Sequence, residues 1–245
     1  MKIDPQEFKS EISCVFKSNG LGAFLNADKS EKFYALTVRM LEENEKYNLT
    51  AIKEPSKIIL NHYADCVTLA KSLPRGASII DVGCGAGFPT LPLAIVRDDL
   101  KITAIDSTAK RIAYVSESAR QLSLSNVSAV AIRAEDGARL EEYREKFDFA
   151  TARAVAEMRI LCELCMPYVK PGGAMIAMKG KNAEFELSSA KKAIAILGGA
   201  NPIIESVTLS SADETLTHPL IIINKKSKTP AAYPRVYAQI SKKPL

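Results

Sequence analysis

Ile79-Ile80-Asp81-Val82-Gly83-Cys84-Gly85-Ala86-Gly87-Phe88-Pro89 is the stretch on which the fold turns. Its first half is a short apolar run without polar alternation, as expected of a strand buried on both faces. Three glycines at alternate positions, Gly83, Gly85 and Gly87, follow directly. Glycine permits sharp backbone geometry and lets a ligand approach the main chain unobstructed. A strand, a glycine turn and a helix in that order put the turn at the carboxyl edge of a parallel sheet, where such folds bind ligands. The spacing differs from the dinucleotide pattern G-x-G-x-x-G, because the third glycine arrives one residue early. No Gly-Lys-Ser/Thr ending marks a phosphate loop either.

Two carboxylates accompany the glycines. Asp81 stands immediately before them and offers an acceptor to the cationic amino-acid end of a cofactor, directly or through water. The next predicted strand ends at Asp106, 23 residues after Gly83. That is the neighbourhood in which a carboxylate accepts both hydroxyls of a ribose. A glycine cluster alone is compatible with a structural turn. The ordered set of strand, Asp-x-Gly-x-Gly-x-Gly, second strand and acidic terminus predicts a pocket for an adenosine-containing cofactor.

Outward from this centre the pattern changes at Ser78. Before it the chain reads as helical. Asp4-Pro5 supplies an N-cap and a first-turn proline, and Phe8, Ile12, Val15 and Phe16 follow at helical spacing before Gly20. Further helices are predicted over Glu31–Tyr47 and Ser56–Lys71. After Ser78, short apolar runs alternate with amphipathic stretches. Strands are expected at Ser78–Val82, Lys101–Asp106, Val127–Arg133, Phe147–Thr151, Ala174–Met178, Ile203–Leu209 and Leu220–Asn224. Helices are expected at Leu91–Val96, Ala109–Leu122, Val155–Met166 and Phe185–Leu197. The predicted class is α/β: a largely parallel, doubly wound, Rossmann-like sheet over residues 78–245, preceded by an N-terminal helical extension over residues 1–77.

The 245 residues suit one domain with such an extension. The start, MKIDPQEF, has no apolar signal core, and no apolar run approaches the roughly 20 residues that cross a bilayer, so a cytoplasmic location is expected. The five cysteines show no disulfide framework, and with two histidines in the chain no metal site is predicted. The net charge of +5 is concentrated late. From Lys225 onward there is no Asp or Glu, but there are Lys225, Lys226, Lys228, Arg235, Lys242 and Lys243. Such a field favours a polyanion, with a solvated charged tail as the competing reading.

Several residues near the predicted sheet edge admit two readings. Ala134-Glu135-Asp136, after the third strand, can meet an adenine edge or cap a helix. Arg153, after the fourth, can contact the cofactor, hold RNA phosphate or form a structural ion pair. Lys179-Gly180-Lys181, after the fifth, suits phosphate contact over a solvated turn. His62 reads as structural more readily than as chemistry. Cys84 lies within the glycine loop without an adjacent base and is not expected to act as a nucleophile.

Together these residues resemble the ribosomal RNA small subunit methyltransferase G family, also called glucose-inhibited division protein B, over nearly the whole chain. The resemblance runs through Asn48-Leu49-Thr50, His62, the Asp81–Pro89 loop, Asp106-Ser107 with Lys110-Arg111, and Arg133-Ala134-Glu135. It continues in Ala152-Arg153-Ala154-Val155-Ala156, Gly172-Gly173 with Lys179-Gly180, and Tyr233-Pro234-Arg235. It implies S-adenosylmethionine as cofactor, in contact with Gly83, Phe88, Asp106, Ser107, Thr108, Ala134, Glu135 and Arg153. It implies methylation of N7 on guanine 527 of bacterial 16S ribosomal RNA, free or in a small-subunit particle. By the same resemblance Lys110, Arg111, Lys179 and Arg235 form the basic RNA surface. The segment from Tyr233 to Leu245 departs from the family's glycine- and basic-rich pattern, with Val236 where a basic residue is common. No obligatory protein partner is predicted. Guanine N7 carries a free lone pair, so no catalytic side chain is assigned. A non-catalytic RNA-binding protein and a small-molecule methyltransferase with a helical lid are the competing functions.

Overall fold

The structure is a computed structural model that describes residues 3–245. Helix α1 (Pro5–Ser18) starts where predicted, because the Asp4 carboxylate accepts the free N–H groups of Gln6 and Glu7. Helix α2 (Ala27–Tyr47) starts earlier than predicted: the Asn26 side chain caps it by accepting from the Lys29 N–H. It stops at Asn48, which takes a left-handed conformation at φ 49°. The third predicted helix is divided. It consists of α3 (Pro55–Ile58), a π-helical turn (Ile59–Ala64), α4 (Asp65–Val67) and a 3-10 turn (Thr68–Lys71). Apolar periodicity marks the extent of such a segment but not its winding, and π turns are often found where function needs them.

The remaining elements alternate. They are β1 (Ser78–Val82), α5 (Thr90–Val96), β2 (Lys101–Asp106), α6 (Ala109–Gln121), β3 (Val127–Ala131), α7 (Ala134–Gly137), β4 (Phe147–Arg153), α8 (Met158–Cys165), β5 (Val169–Met178), α9 (Ala183–Ile196), β6 (Gly199–Ser210), β7 (Thr215–Lys225) and α10 (Tyr237–Lys242). The seven strands form one sheet in the order β3-β2-β1-β4-β5-β7-β6. The first five are parallel, and β7 and β6 run antiparallel to their neighbours. The predicted sheet is therefore present, with an antiparallel hairpin at one edge.

Differences at the element ends have local causes. Strand β3 stops before Arg133, which adopts the extended N-cap conformation of α7. Helix α8 begins at Met158 because Ala154 sits at φ 55° and Glu157 is an extended cap. The hairpin strands β6 and β7 run past their apolar centres into polar residues, where backbone pairing continues without a buried face to mark it in the sequence.

One face of the sheet packs against the N-terminal helices, and Phe8, Phe33 and Tyr63 share a core cluster with Ile79, Leu91 and Leu220. The other face carries α8, α9 and α10, with Met158, Leu161, Ile194 and Ile240 fully or nearly fully buried. Among the described residues, no helix is long and apolar enough to cross a membrane.

Candidate cofactor site

The glycine turn depends on backbone shape as well as space. Gly83, Gly85 and Gly87 have φ of 72°, 55° and 88°, all in the region that favours glycine. A Cβ at Gly83 would lie 2.8 Å from the Val155 side chain, and one at Gly87 would lie 2.6 Å from Leu91. The turn is tied to β2 from above. The N–H groups of Gly83 and Cys84 donate to the Ile105 carbonyl at 2.8 and 3.0 Å. The Gly85 N–H donates to Asp106 Oδ2 at 3.1 Å, and the Thr108 N–H donates to Asp106 Oδ1 at 2.8 Å. Asp106 thus clamps two loops, while each of its oxygens keeps a further lone pair.

Beside this clamp lies a cavity of about 320 Å³, within the size range of small-ligand sites. Gly83, Asp106, Ser107, Ala134 and Glu135 line it, as do Ala154, Val155 and Ala156 after β4. The structure thus brings five of the predicted cofactor residues to one cavity. Gly85, Gly87, Phe88, Thr108, Asp81 and Arg153 are not in the lining. Arg111, Arg133 and Tyr237 are, and sequence reasoning had not placed them at a cofactor. Arg133 had a signal, since it precedes Ala134. Tyr237 had none, because it comes from a segment far along the chain.

Asp81 is fully buried beneath the turn. Its carboxylate accepts from Thr90 Oγ1 at 2.6 Å and Thr151 Oγ1 at 3.3 Å, joining β1 to α5 and β4. Burial pushes its pKa up to about 6, against the opposing hydrogen bonds from Thr90 and Thr151. Cys84 is buried as well, and burial holds its thiol well above the ordinary value, which removes the thiolate a nucleophile needs. Of the remaining cysteines, Cys66, Cys162 and Cys165 are buried free thiols and Cys14 is exposed. Among the described residues, no cluster of three or more His, Cys, Asp or Glu side chains could hold a metal.

Arg153 leaves β4 toward the N-terminal helices. Its guanidinium donates to the Asn61 carbonyl at 3.0 Å, to Asp65 Oδ2 at 3.1 Å and to His62 Nδ1 at 3.0 Å. It also lies 5.1 Å from the centre of the Phe88 ring, on which His62 stacks at 4.4 Å. Arginine only donates, so His62 Nδ1 accepts at the shorter of its two contacts, and its 3.2 Å approach to the Asn61 carbonyl then carries no hydrogen. The ring proton then sits on Nε2, facing Thr50 Oγ1 at 2.9 Å. On β7, His218 contacts the second oxygen of Asp65. The loop and the helical layer are therefore joined through Phe88, His62 and Arg153.

This arrangement predicts a pH effect. Burial, followed by the Arg153 charge, lowers the His62 pKa to about 4. The unfolded chain protonates near 6.5, so the stabilising contribution is complete above that pH and is lost as pH falls toward 4. Between pH 7.5 and 5 the loss is about 2 kcal/mol. In urea unfolding at these two pH values, His62→Gln should shrink the stability difference by about 1–2 kcal/mol. An undiminished difference would mean that other groups control the acid side.

The four basic residues expected at an RNA surface divide into two pairs. Lys110 and Arg111 are exposed at the start of α6, with Arg111 at 3.6 Å from Asp106. Lys179 instead pairs with Glu186 at 2.6 Å and donates to the Ala156 carbonyl at 2.9 Å. Arg235 pairs with the buried Glu163 on α8, donating from its guanidinium at 2.7 and 2.9 Å and from its backbone N–H at 2.8 Å. Lys179 and Arg235 are thus engaged inside the fold. Glu163 lies 72 residues before Arg235 and could not be matched to it from the sequence, whereas Glu186 follows Lys179 by seven residues, in the next helix.

A largely parallel sheet with a glycine turn after β1, an acidic end to β2 and a cavity beside them is the architecture of the S-adenosylmethionine-dependent methyltransferases. Solved structures of that class share the fold. One is an S-adenosylmethionine-dependent O-methyltransferase from Thermotoga maritima, with a TM-score of 0.52, 15% identity, and coverage of 78% of this chain and 72% of that one. Another is a precorrin-6y C5,15-methyltransferase from Geobacter metallireducens, with a TM-score of 0.50, 18% identity, and coverage of 67% and 88%. The family model for rRNA small subunit methyltransferase G matches residues 29–215. A Clostridium perfringens protein named ribosomal RNA small subunit methyltransferase G is 45% identical over 93% of this chain and 95% of its own length. One of that name from Oceanobacillus iheyensis is 43% identical over 91% and 94%. The chain belongs to the ribosomal RNA small subunit methyltransferase G family.

Proposed function

We propose that this protein transfers the methyl group of S-adenosylmethionine to N7 of guanine 527 in 16S ribosomal RNA, free or within a small-subunit particle, in the cytoplasm. The observation that carries the reading is Asp106. It lines the cavity with acceptor capacity to spare, at the end of β2, in a chain of this family. That donor set fits the cofactor: a carboxylate suits two ribose hydroxyls, and the bare backbone at Gly83 suits close approach. Ala134 and Glu135 take the adenine edge, while Asp81 supports the turn from below. Gly85, Gly87, Phe88, Ser107, Thr108 and Arg153 complete or brace the seat.

When bound, S-adenosylmethionine supplies an electrophilic methyl group on a sulfonium. Guanine N7 brings its own lone pair, so no side chain has to remove a proton and none is assigned as catalytic. The work left to the protein is alignment and exclusion of water, and orientation alone can supply a large part of a rate enhancement. Lys110 and Arg111 hold RNA phosphate beside the cavity. Replacing both by alanine should lower the slope of log affinity against log salt for RNA by about 1.5 and leave cofactor affinity nearly unchanged. An unchanged slope would remove them from the RNA face.

The direct test uses labelled S-adenosylmethionine with unmodified small-subunit RNA and with small subunits, followed by nucleoside identification and mapping. The expected product is 7-methylguanosine at one position. Absence of transfer to either substrate by folded, cofactor-bound protein overturns the reading, and so does label on another atom.

A further inference from the structure

The segment after β7 lies outside the family match, which covers residues 29–215. In the structure this segment is fastened at many points. Arg139 donates to the Pro234 carbonyl at 2.9 Å and Arg144 to the Tyr233 carbonyl at 2.9 Å. Arg159 grips the far end, donating to the Pro244 and Leu245 carbonyls at 2.6 and 2.8 Å. Between these points Glu163 holds Arg235, and Ile240 of α10 is fully buried.

The fastening fixes the short helix that carries one aromatic side chain at the cavity. Tyr237 opens α10 three residues before Ile240, so both lie on neighbouring parts of one helix face. Ile240 anchors that face in the core, whereas Tyr237 lines the cavity and is 43% exposed. The same cavity is lined by Ile132, Ala134 and Leu164, which are apolar, and by Glu135, which offers a polar edge. An exposed aromatic ring on a fastened helix, beside apolar groups and one acceptor edge, suits a flat heteroaromatic ligand better than a sugar or a charged chain.

We infer that Tyr237 is a cofactor-binding residue, packing its ring against the purine of S-adenosylmethionine, and that the 233–245 segment is a strap holding it there. The inference rests on the cofactor seat proposed above. Alanine in place of a base-stacking aromatic typically weakens binding by about five- to a hundredfold; with one face of Tyr237 open, about tenfold is expected.

The chain contains no tryptophan, so Tyr237→Trp carries a single indole emitter. Titration of this variant with S-adenosylhomocysteine should quench its emission saturably. Calorimetry with the same ligand should show about tenfold weaker binding for Tyr237→Ala and near-native binding for Tyr237→Phe, all with native circular dichroism. Native affinity in Tyr237→Ala, alongside lost affinity in Asp106→Asn, would overturn the role of Tyr237 and leave the seat standing. Native affinity in both variants would overturn the seat as well. Unchanged indole emission at saturating ligand would place the purine away from residue 237.

Discussion

Asp106→Asn should weaken S-adenosylhomocysteine binding by about a hundredfold, while the protein remains folded. The carboxylate now accepts two backbone N–H groups, from Gly85 and Thr108, one on each oxygen. The amide keeps one acceptor and turns a donor toward the other N–H. The glycine turn or the Ser107–Thr108 turn must then shift, and one expected ribose acceptor is lost as well. Hydrogen bonds to a charged group contribute about 1.5–3 kcal/mol each. Loss of one or two such bonds to the ribose therefore corresponds to about 3 kcal/mol. The cost to the fold is smaller, on the order of 1–2 kcal/mol, because the amide keeps one of the two loop hydrogen bonds. Calorimetric titration combined with urea unfolding separates the two effects. An unchanged dissociation constant would remove Asp106 from the ribose, and lost binding with a fully unfolded variant would be distinguished by the urea curve.

The parts of this site that were legible in the sequence are those set by short-range rules. The Asp81–Pro89 stretch shows its strand by unbroken hydrophobicity and its turn by glycines that the observed positive φ values require. Asp106 could be placed because one helix and one strand carry the chain back across the sheet, and the β1–β2 register sets Asp81 opposite Ala104. What could not be read depends on contacts between distant segments. Arg153 and Asp65 are 88 residues apart, and Arg235 and Glu163 are 72 apart. Nothing local tells a basic residue whether a carboxylate waits inside the fold or a phosphate outside it. The π-helical turn at Ile59–Ala64 escaped for another reason: almost every side chain around it is buried, so apolar periodicity carries little information on winding. Asp81 is a separate case, buried beneath the turn and outside the cavity lining. The sequence reading sets it at the cofactor's cationic end, and in the structure each of its oxygens accepts one hydroxyl, from Thr90 and Thr151.

Arg235→Met should destabilise the protein by about 3–5 kcal/mol, the usual cost of leaving one member of a buried ion pair alone. Glu163 has no exposed side-chain surface, and Arg235 satisfies both of its oxygens. Methionine covers similar apolar area but returns none of the guanidinium donors, leaving only the backbone N–H of residue 235 on Oε1. The carboxylate must then stay charged with too few partners or take up a proton. Replacing both residues, Glu163→Met with Arg235→Met, removes the stranded charge and should recover most of the loss, since well-packed apolar pairs often equal or exceed the ion pair they replace. The two single variants and the double variant form a cycle that can be measured by urea unfolding. A residue serving mainly as an RNA contact would behave differently: Arg235→Met would then leave stability within about 0.5 kcal/mol of the parent, the ordinary range for a surface substitution, and would reduce the salt dependence of RNA binding instead. The position of Glu163 at the buried end of this pair makes the stability loss the expected result. Because the same pair fastens the strap that carries Tyr237, the Arg235→Met variant should also bind S-adenosylhomocysteine more weakly even at temperatures where it remains folded.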